Sequence, residues 1–245
     1  MKVFGQTDIG TVRESNQDAF AVGEFENGDC WAVVCDGMGG VSGGQVASKI
    51  CVDRVSEAIK RGYRNNMTVK TAQNLLNSAI CAANSAVFDE AQKNKEYSGM
   101  GTTVVAVMVI KDIAVVAHVG DSRAYIFNDN ITPITKDHSL VQHLLDTGKI
   151  TEEEAKNHPD RNIITRAVGV LSFVDVDFEY VDVKENDNIL ICTDGLNGVV
   201  EDDEILDVIK KSGENSAEKL IKAAIESGSR DNITAVLLLA DNQGE

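Results

Sequence analysis

The chain has 245 residues, 39 acidic and 23 basic, giving a formal charge of −16, and only two prolines. That length leaves room for a substantial core in one large domain or two small ones, and the charge argues against a nucleic-acid or anionic-membrane partner. No Ser/Pro-rich linker or low-complexity stretch divides it, so a single domain over 1–245 is expected, monomeric by default because no oligomerisation device is evident.

Lys2 to Thr7 reads as a first strand, followed by a polar loop from Asp8 to Asp18 that carries Arg13. The N-terminus lacks a signal-peptide core and no segment approaches a membrane span, so no membrane insertion and a cytoplasmic location are expected. Ala19 to Phe25 and Asp29 to Cys35 form a hairpin about Glu26-Asn27-Gly28, because Asn-Gly favours a tight reversal. Val46, Ile50, Val52, Val55 and Ile59 recur at near-helical spacing between Gln45 and Arg61. Val69, Ala72, Leu75, Leu76, Ala79, Ile80, Ala83, Val87 and Phe88 do the same between Thr68 and Lys93. Two amphipathic helices packed on one sheet face follow.

Gly101 to Ile110 and Ile113 to Val119 make a second apolar hairpin through Lys111-Asp112, and Ala124 to Phe127 adds a strand. His118 lies in a buried run and is read as a hydrogen-bonded core histidine rather than a catalytic one. Gly101-Thr102-Thr103 reads as small residues that let strands approach. Ser139 to Thr147 is a short helix, and Thr151-Glu152-Glu153-Glu154 has the spacing of a capping box that opens another. The polar stretch 135–161 reads equally as a flap over a site and as an ordinary surface excursion.

Val174 to Val183 and Ile189 to Cys192 are strands. Glu201-Asp202-Asp203-Glu204 reads as the acidic N-terminus of a helix from Ile205 to Lys211 rather than as a metal cluster. Ser216 to Ser227 is a further helix and Asn232 to Ala240 a closing strand. Regular strand-helix alternation is missing, which favours an α+β fold of largely antiparallel sheets covered by helices. The five cysteines, Cys30, Cys35, Cys51, Cys81 and Cys192, are odd in number and form no C-x-x-C pair. Reduced thiols are expected.

Trp31-Ala32-Val33-Val34-Cys35-Asp36-Gly37-Met38-Gly39-Gly40 is an apolar strand that delivers one carboxylate to a glycine turn. Glycines permit positive φ and leave carbonyl groups open. A carboxylate beside a bare carbonyl suits a hard divalent cation such as Mg²⁺ or Mn²⁺. Asp194 follows the strand Asn188 to Cys192, Asp121 follows Ile113 to Val119, and Asp231 precedes the last strand. A lone Asp-Gly after a strand is ordinary hairpin chemistry. Four strand-end aspartates form a candidate metal site, and a phosphorylated substrate of so acidic a chain would require ions or a local Arg to reverse the field.

With Arg13 and Asn16-Gln17-Asp18, Asp36-Gly37-Met38-Gly39-Gly40, Gly101-Thr102-Thr103, Gly120-Asp121-Ser122-Arg123, Asp137-His138-Ser139, Thr193-Asp194-Gly195-Leu196 and Asp231-Asn232-Ile233-Thr234 in this order, the chain resembles the metal-dependent type 2C serine/threonine protein phosphatases. The likeness is to their compact bacterial branch and runs from Gly5 to Leu239. It implies a central β-sandwich of two mainly antiparallel sheets flanked by helix pairs, in α-β-β-α layers. It also implies a binuclear Mn²⁺ or Mg²⁺ centre and hydrolysis of phosphoserine and phosphothreonine in proteins, opposing a eukaryotic-type bacterial kinase.

By position in the motifs, Asp36 would bridge both ions and the Gly37 carbonyl would bind one, while Asp194 and Asp231 would bind the other. Asp18 would orient metal-bound water, Asp121 would form a weaker third site with Asp194, and Arg13 would grip the phosphate. Two ions about 4 Å apart lower the pKa of a bridging water to near neutrality, for in-line attack on phosphorus without a covalent phosphoenzyme. Arg13 can hold phosphate oxygens as a bidentate fork.

Many members carry a His within or just after the glycine turn to protonate the leaving alkoxide, and here Met38 and Val41 stand there. A metal-bound water would donate instead, with His138 a weaker candidate because its motif is usually structural. Gln17 stands where some relatives have a Glu ligand, which moves weight to Asp18. Two other classes compete. A phosphoprotein-binding module without catalysis is opposed by the complete ligand set, and a hydrolase of small phosphoesters or nucleotides by the absence of Gly-Lys-Ser/Thr after Gly40.

Overall fold

The computed structural model describes residues 1–240, without the side chain of Val41, so the last five residues of the expected domain lie outside the described part. Its elements are β1 (Lys2–Asp8), β2 (Asp18–Glu24), β3 (Cys30–Met38), α1 (Gly40–Gly62), α2 (Val69–Lys93), β4 (Gly101–Thr102), β5 (Val104–Ile110), β6 (Ile113–Val119), β7 (Arg123–Phe127), β8 (Ile131–Pro133), α3 (Leu140–Asp146), α4 (Glu152–Lys156), β9 (Asp177–Asp182), β10 (Asn188–Cys192), α5 (Asp194–Asn197), α6 (Asp202–Ser212), α7 (Ser216–Glu226) and β11 (Ile233–Leu239). One sheet runs β1-β11-β10-β7-β8 and the other β2-β3-β5-β6-β9, with β4 paired to the end of β3. Every pairing between them is antiparallel.

Strand alternation divides the interior into three apolar layers. On β3, Trp31, Val33 and Cys35 face α1 and α2 together with Ala106, Met108 and Ala117. Cys30, Ala32 and Val34 face the other way, into a core between the sheets shared with Val107, Val116, Ile191 and Val236. Leu190, Cys192, Ala235 and Leu237 pack against α6 and α7. Side chains on a strand alternate between faces, so an unbroken apolar run fits only a strand covered on both sides. Each Val or Leu so buried stabilises the fold by about 1.5–3 kcal/mol. The α-β-β-α sandwich expected from the sequence is the fold found.

Several boundaries differ from the sequence expectation. α1 begins at Gly40 rather than Gln45, because Gly39 (φ +119°) reverses the chain at once and Gly44 packs on the Gly37 carbonyl, where a Cβ would lie 2.6 Å from the oxygen. The stretch from Gly101 is split at Thr103, leaving β4 and β5 as separate strands. β9 is shorter than Val174 to Val183, since Arg166 Nη1 donates to the Asp175 carbonyl and the Asp177 carboxylate just where the ladder would start. β8 and the four-residue α5 are too short for either period to register.

The stretch 135–161 is ordered as α3 and α4. Ser139 Oγ caps α3 by accepting from Gln142 N–H at 3.2 Å. The expected capping box of Thr151 and Glu154 opens α4. Asp202, Asp203 and Glu204 lie in the first turn of α6, as helix electrostatics favours. No helix among the described residues is long and apolar enough to cross a membrane. Cys30, Cys35, Cys51 and Cys192 are buried and Cys81 is exposed, and none of them is in a disulfide among the described residues.

Candidate active site

The alternation that buries Val34 between the sheets also places Asp36 on that side, at the end where β3 leaves the sandwich. Asp18 is its direct cross-strand partner on β2. Asp194 is the first residue of α5 after β10, and Asp231 stands just before β11, the neighbour of β10. Asp121 occupies the turn after β6. Asp36, Gly37, Asp121, Asp194, Asp231 and Arg13 line a single cleft of about 570 Å³. Asp18 lies behind it, buried at 8% exposure.

The walls are cross-linked by side-chain hydrogen bonds from both sheets. Asp18 Oδ2 accepts from Thr193 Oγ1 at 2.9 Å and Thr234 Oγ1 at 2.7 Å. Thr103 N–H donates to the Asp36 carbonyl at 2.8 Å, and Asp36 N–H donates to Thr103 Oγ1 at 2.9 Å. Asn232 fixes the loop that carries Arg13: Oδ1 accepts from Gln17 N–H, and Nδ2 donates to the carbonyls of Ile9 and Ser15. Arg13 Nη2 meets Asp231 Oδ2 at 2.6 Å. Its Nε and Nη1 make no hydrogen bond to the described residues. Gln17 directs its side chain to the Gly40 carbonyl, 3.0 Å away, which holds the glycine turn to the β1–β2 loop.

Burial, and then the neighbouring carboxylates, push the Asp36 pKa well above the usual carboxylate range. Asp18 and Asp121 are each pushed up to about 7, mainly by burial, and Asp194 is raised by burial and by Asp231. Asp18 Oδ1 and Asp194 Oδ1 are buried with no hydrogen-bond partner among the described residues. A buried acceptor left without a donor is costly, and so is a set of like charges. An all-oxygen donor set with these unmet acceptors fits a hard divalent cation.

In chelator, Asp18 and Asp121 therefore hold more protons in the native state than in the unfolded chain between about pH 4 and 7. Their penalty is absent below that window and complete above it, and the raised Asp36 and Asp194 act in the same direction. The melting temperature of the chelated protein is expected to fall by several degrees from pH 5 to pH 8, since each tenfold difference in proton affinity between folded and unfolded chain is worth roughly 1.4 kcal/mol. Calorimetric scans across that range test this, and a melting temperature that rises with pH would contradict it.

The sequence-derived residues are thus brought together at one end of the sandwich. Asn162 and Ile164, which line the same cleft, were not singled out, and nothing in the periodicity of their loop marks them. Met38 lines the cleft where a leaving-group acid was sought, and the side chain of Val41 lies outside the described set. His138 has the structural place that its motif implies and is not positioned as the leaving-group acid. It is absent from the cleft lining, and both ring nitrogens are engaged, by Gly120 and Asp177. His118 is a core histidine as expected, 2% exposed with Nε2 donating to the Lys136 carbonyl.

Sandwich and acidic cleft together define an α-β-β-α phosphatase. The profile of the Protein phosphatase 2C family matches residues 11–232, and the chain belongs to that family. It is 38% identical over 236 residues to the serine/threonine phosphatase stp of Listeria welshimeri, covering 95% of this chain and 93% of that one. Among solved structures, the serine/threonine phosphatase Stp1 of Staphylococcus aureus matches at a TM-score of 0.91 and 38% identity, over 98% of this chain and 95% of that one. The catalytic domain of the phosphatase PstP, solved with two manganese ions, matches at a TM-score of 0.84 and 31% identity over 98% of both chains.

Proposed function

We propose that this chain is a metal-dependent protein serine/threonine phosphatase that hydrolyses phosphoserine and phosphothreonine and opposes a eukaryotic-type bacterial kinase in the cytoplasm, as a monomeric single domain. The observation that carries this function is the convergence of Asp36, Asp121, Asp194, Asp231 and Arg13, from distant parts of the chain, on one cleft.

In this assignment Asp36, the Gly37 carbonyl, Asp194 and Asp231 would hold two Mn²⁺ or Mg²⁺ ions, and Asp121 would contribute to a weaker third site. When bound, such ions supply a nucleophile at neutral pH and neutralise developing charge on the phosphoryl group. Asp18 Oδ2 is fixed by Thr193 and Thr234, while Oδ1, buried without a partner among the described residues, would orient water beside its cross-strand neighbour Asp36. Arg13 stands at the rim, about half exposed, with N–H groups left over from Asp231 to receive phosphate oxygens. Its charge offsets the acidic field that would otherwise repel the substrate.

An open cleft with an exposed arginine at its edge suits a phosphorylated side chain on a protein better than a small ester that must be enclosed. Comparing a phosphothreonine peptide with free phosphoserine and a nucleoside monophosphate tests the substrate class. The peptide is expected to have the higher kcat/KM, by roughly tenfold or more if contacts outside the phosphate contribute even about 1.4 kcal/mol. Equal rates on all three would instead indicate a general phosphomonoesterase.

A further inference from the structure

Gly120 turns the chain from β6 toward Asp121 at φ +110°, a conformation open to glycine without strain. Both its backbone polar groups are taken by one residue far along the chain. His138 N–H donates to the Gly120 carbonyl at 2.9 Å, and Gly120 N–H donates to His138 Nδ1 at 3.0 Å. The flanking residues repeat the lock, since Arg123 Nε and Nη2 donate to the two oxygens of Asp137, each at 2.8 Å.

A peptide N–H can only donate, so Nδ1 of His138 is bare and the ring proton is on Nε2. That proton goes to Asp177 Oδ2 at 3.0 Å, and Arg166 holds the other oxygen of the same carboxylate at 2.6 Å. The ring stacks on His118 at 4.7 Å. His118, His138 and Asp177 bring ligand-type atoms within 4.8 Å of one another. A metal there would need the lone pair of His138 Nε2, and a proton moved to Nδ1 would point at the Gly120 N–H. The tautomer set by the backbone makes this cluster a brace.

The brace reaches the cleft in two directions. Asp121 follows Gly120 directly, and Ser122 Oγ lies 2.7 Å from Thr103 Oγ1, the acceptor of the Asp36 N–H. Thr165 N–H donates to the His138 carbonyl at 2.8 Å and Ser139 pairs with Ile164, a cleft residue. We propose that His138 is a positioning residue which, by clamping the Gly120 peptide groups, sets Asp121 at the cleft floor and Ile164 in its wall, given the role assigned above to Asp121.

Asn and Gln separate the two functions of the ring. Asn carries Oδ1 at the position of Nδ1, so His138→Asn keeps an acceptor for Gly120. Gln reaches the position of Nε2, so His138→Gln keeps the donor to Asp177 and the backbone bond to the Gly120 carbonyl but loses the side-chain half of the clamp, the acceptor for the Gly120 N–H. In His138→Gln the weakest Mn²⁺ step in calorimetry and kcat on a phosphothreonine peptide are each expected to fall about 10- to 100-fold, the usual cost of losing an orienting partner. The Gly120 amide should also exchange faster with deuterium, a readout that needs no metal. His138→Asn should stay near wild type in all three, whatever its melting temperature.

Loss of equal size in both variants, or wild-type values in His138→Gln, would overturn the proposal. If His138→Gln does not fold, His138→Asn decides alone: a retained weak step and kcat support the clamp, and their loss overturns it. Asp121→Asn distinguishes the two layers. If it leaves the weak step and kcat unchanged, the role of Asp121 fails, and if it removes them while His138→Gln does not, only the brace fails.

Discussion

Replacing Asp36 with Asn is expected to lower kcat on a phosphothreonine peptide by roughly 10³-fold or more in saturating Mn²⁺. The amide keeps the shape of the side chain and removes the charge that would bridge both ions. Charge stabilisation by a bound metal is worth several kcal/mol, and each 1.36 kcal/mol is tenfold in rate. The fold should survive, because Asp36 is held through its backbone whatever its side chain does: its N–H donates to Thr103 Oγ1, and its carbonyl accepts from Thr102 Oγ1 and Thr103 N–H. Steady-state kinetics beside a Mn²⁺ binding isotherm measures both halves. Full turnover in the Asn variant would remove Asp36 from the mechanism.

Arg13→Ala should act differently. Hydrogen bonds between charged groups are worth about 1.5–3 kcal/mol, so kcat/KM is expected to fall roughly 10²-fold. Arg13→Lys should recover little of it, since an ammonium cannot reproduce the planar fork. Tight Mn²⁺ binding should persist in both variants or strengthen in Arg13→Ala, because Arg13 Nη2 contacts Asp231 at 2.6 Å and that cation opposes a metal at the same carboxylate. Kinetics and calorimetry on one preparation separate the effects. Loss of metal binding with Arg13 would show that it holds the site together rather than the substrate.

What the sequence made legible follows from local rules. β3 was readable because a continuous apolar run ending in Asp-Gly suits a strand covered on both faces, and the same alternation fixes where Asp36 points. The strand-end aspartates were visible as a set, and the family motifs assigned each a place. Contacts that depend on register between distant strands were not visible. Asn232 holds Gln17 across 215 positions, and Asp18 on β2 meets Thr234 on β11 across 216, because the two sheets stack face to face at this end of the sandwich. The start of α1 was missed since glycines carry no periodic signal, and here a close backbone contact decides it. The structural motif made His138 only a weak acid candidate, but its two partners, Gly120 after β6 and Asp177 at the start of β9, lie 18 and 39 positions away and carry no local signal.

The central claim is that the buried carboxylates are held together for divalent ions, and one comparison tests it most directly. Wild type and Asp36→Asn are melted at pH 8, each in chelator and in saturating Mn²⁺. In chelator the Asn variant should melt higher, because an amide has no ionisation for burial and the neighbouring carboxylates to disfavour. In Mn²⁺ the order should reverse, as ligand binding stabilises the native state that holds it. A wild type whose melting point Mn²⁺ leaves unchanged, with the Asn variant melting lower in both conditions, would contradict the account.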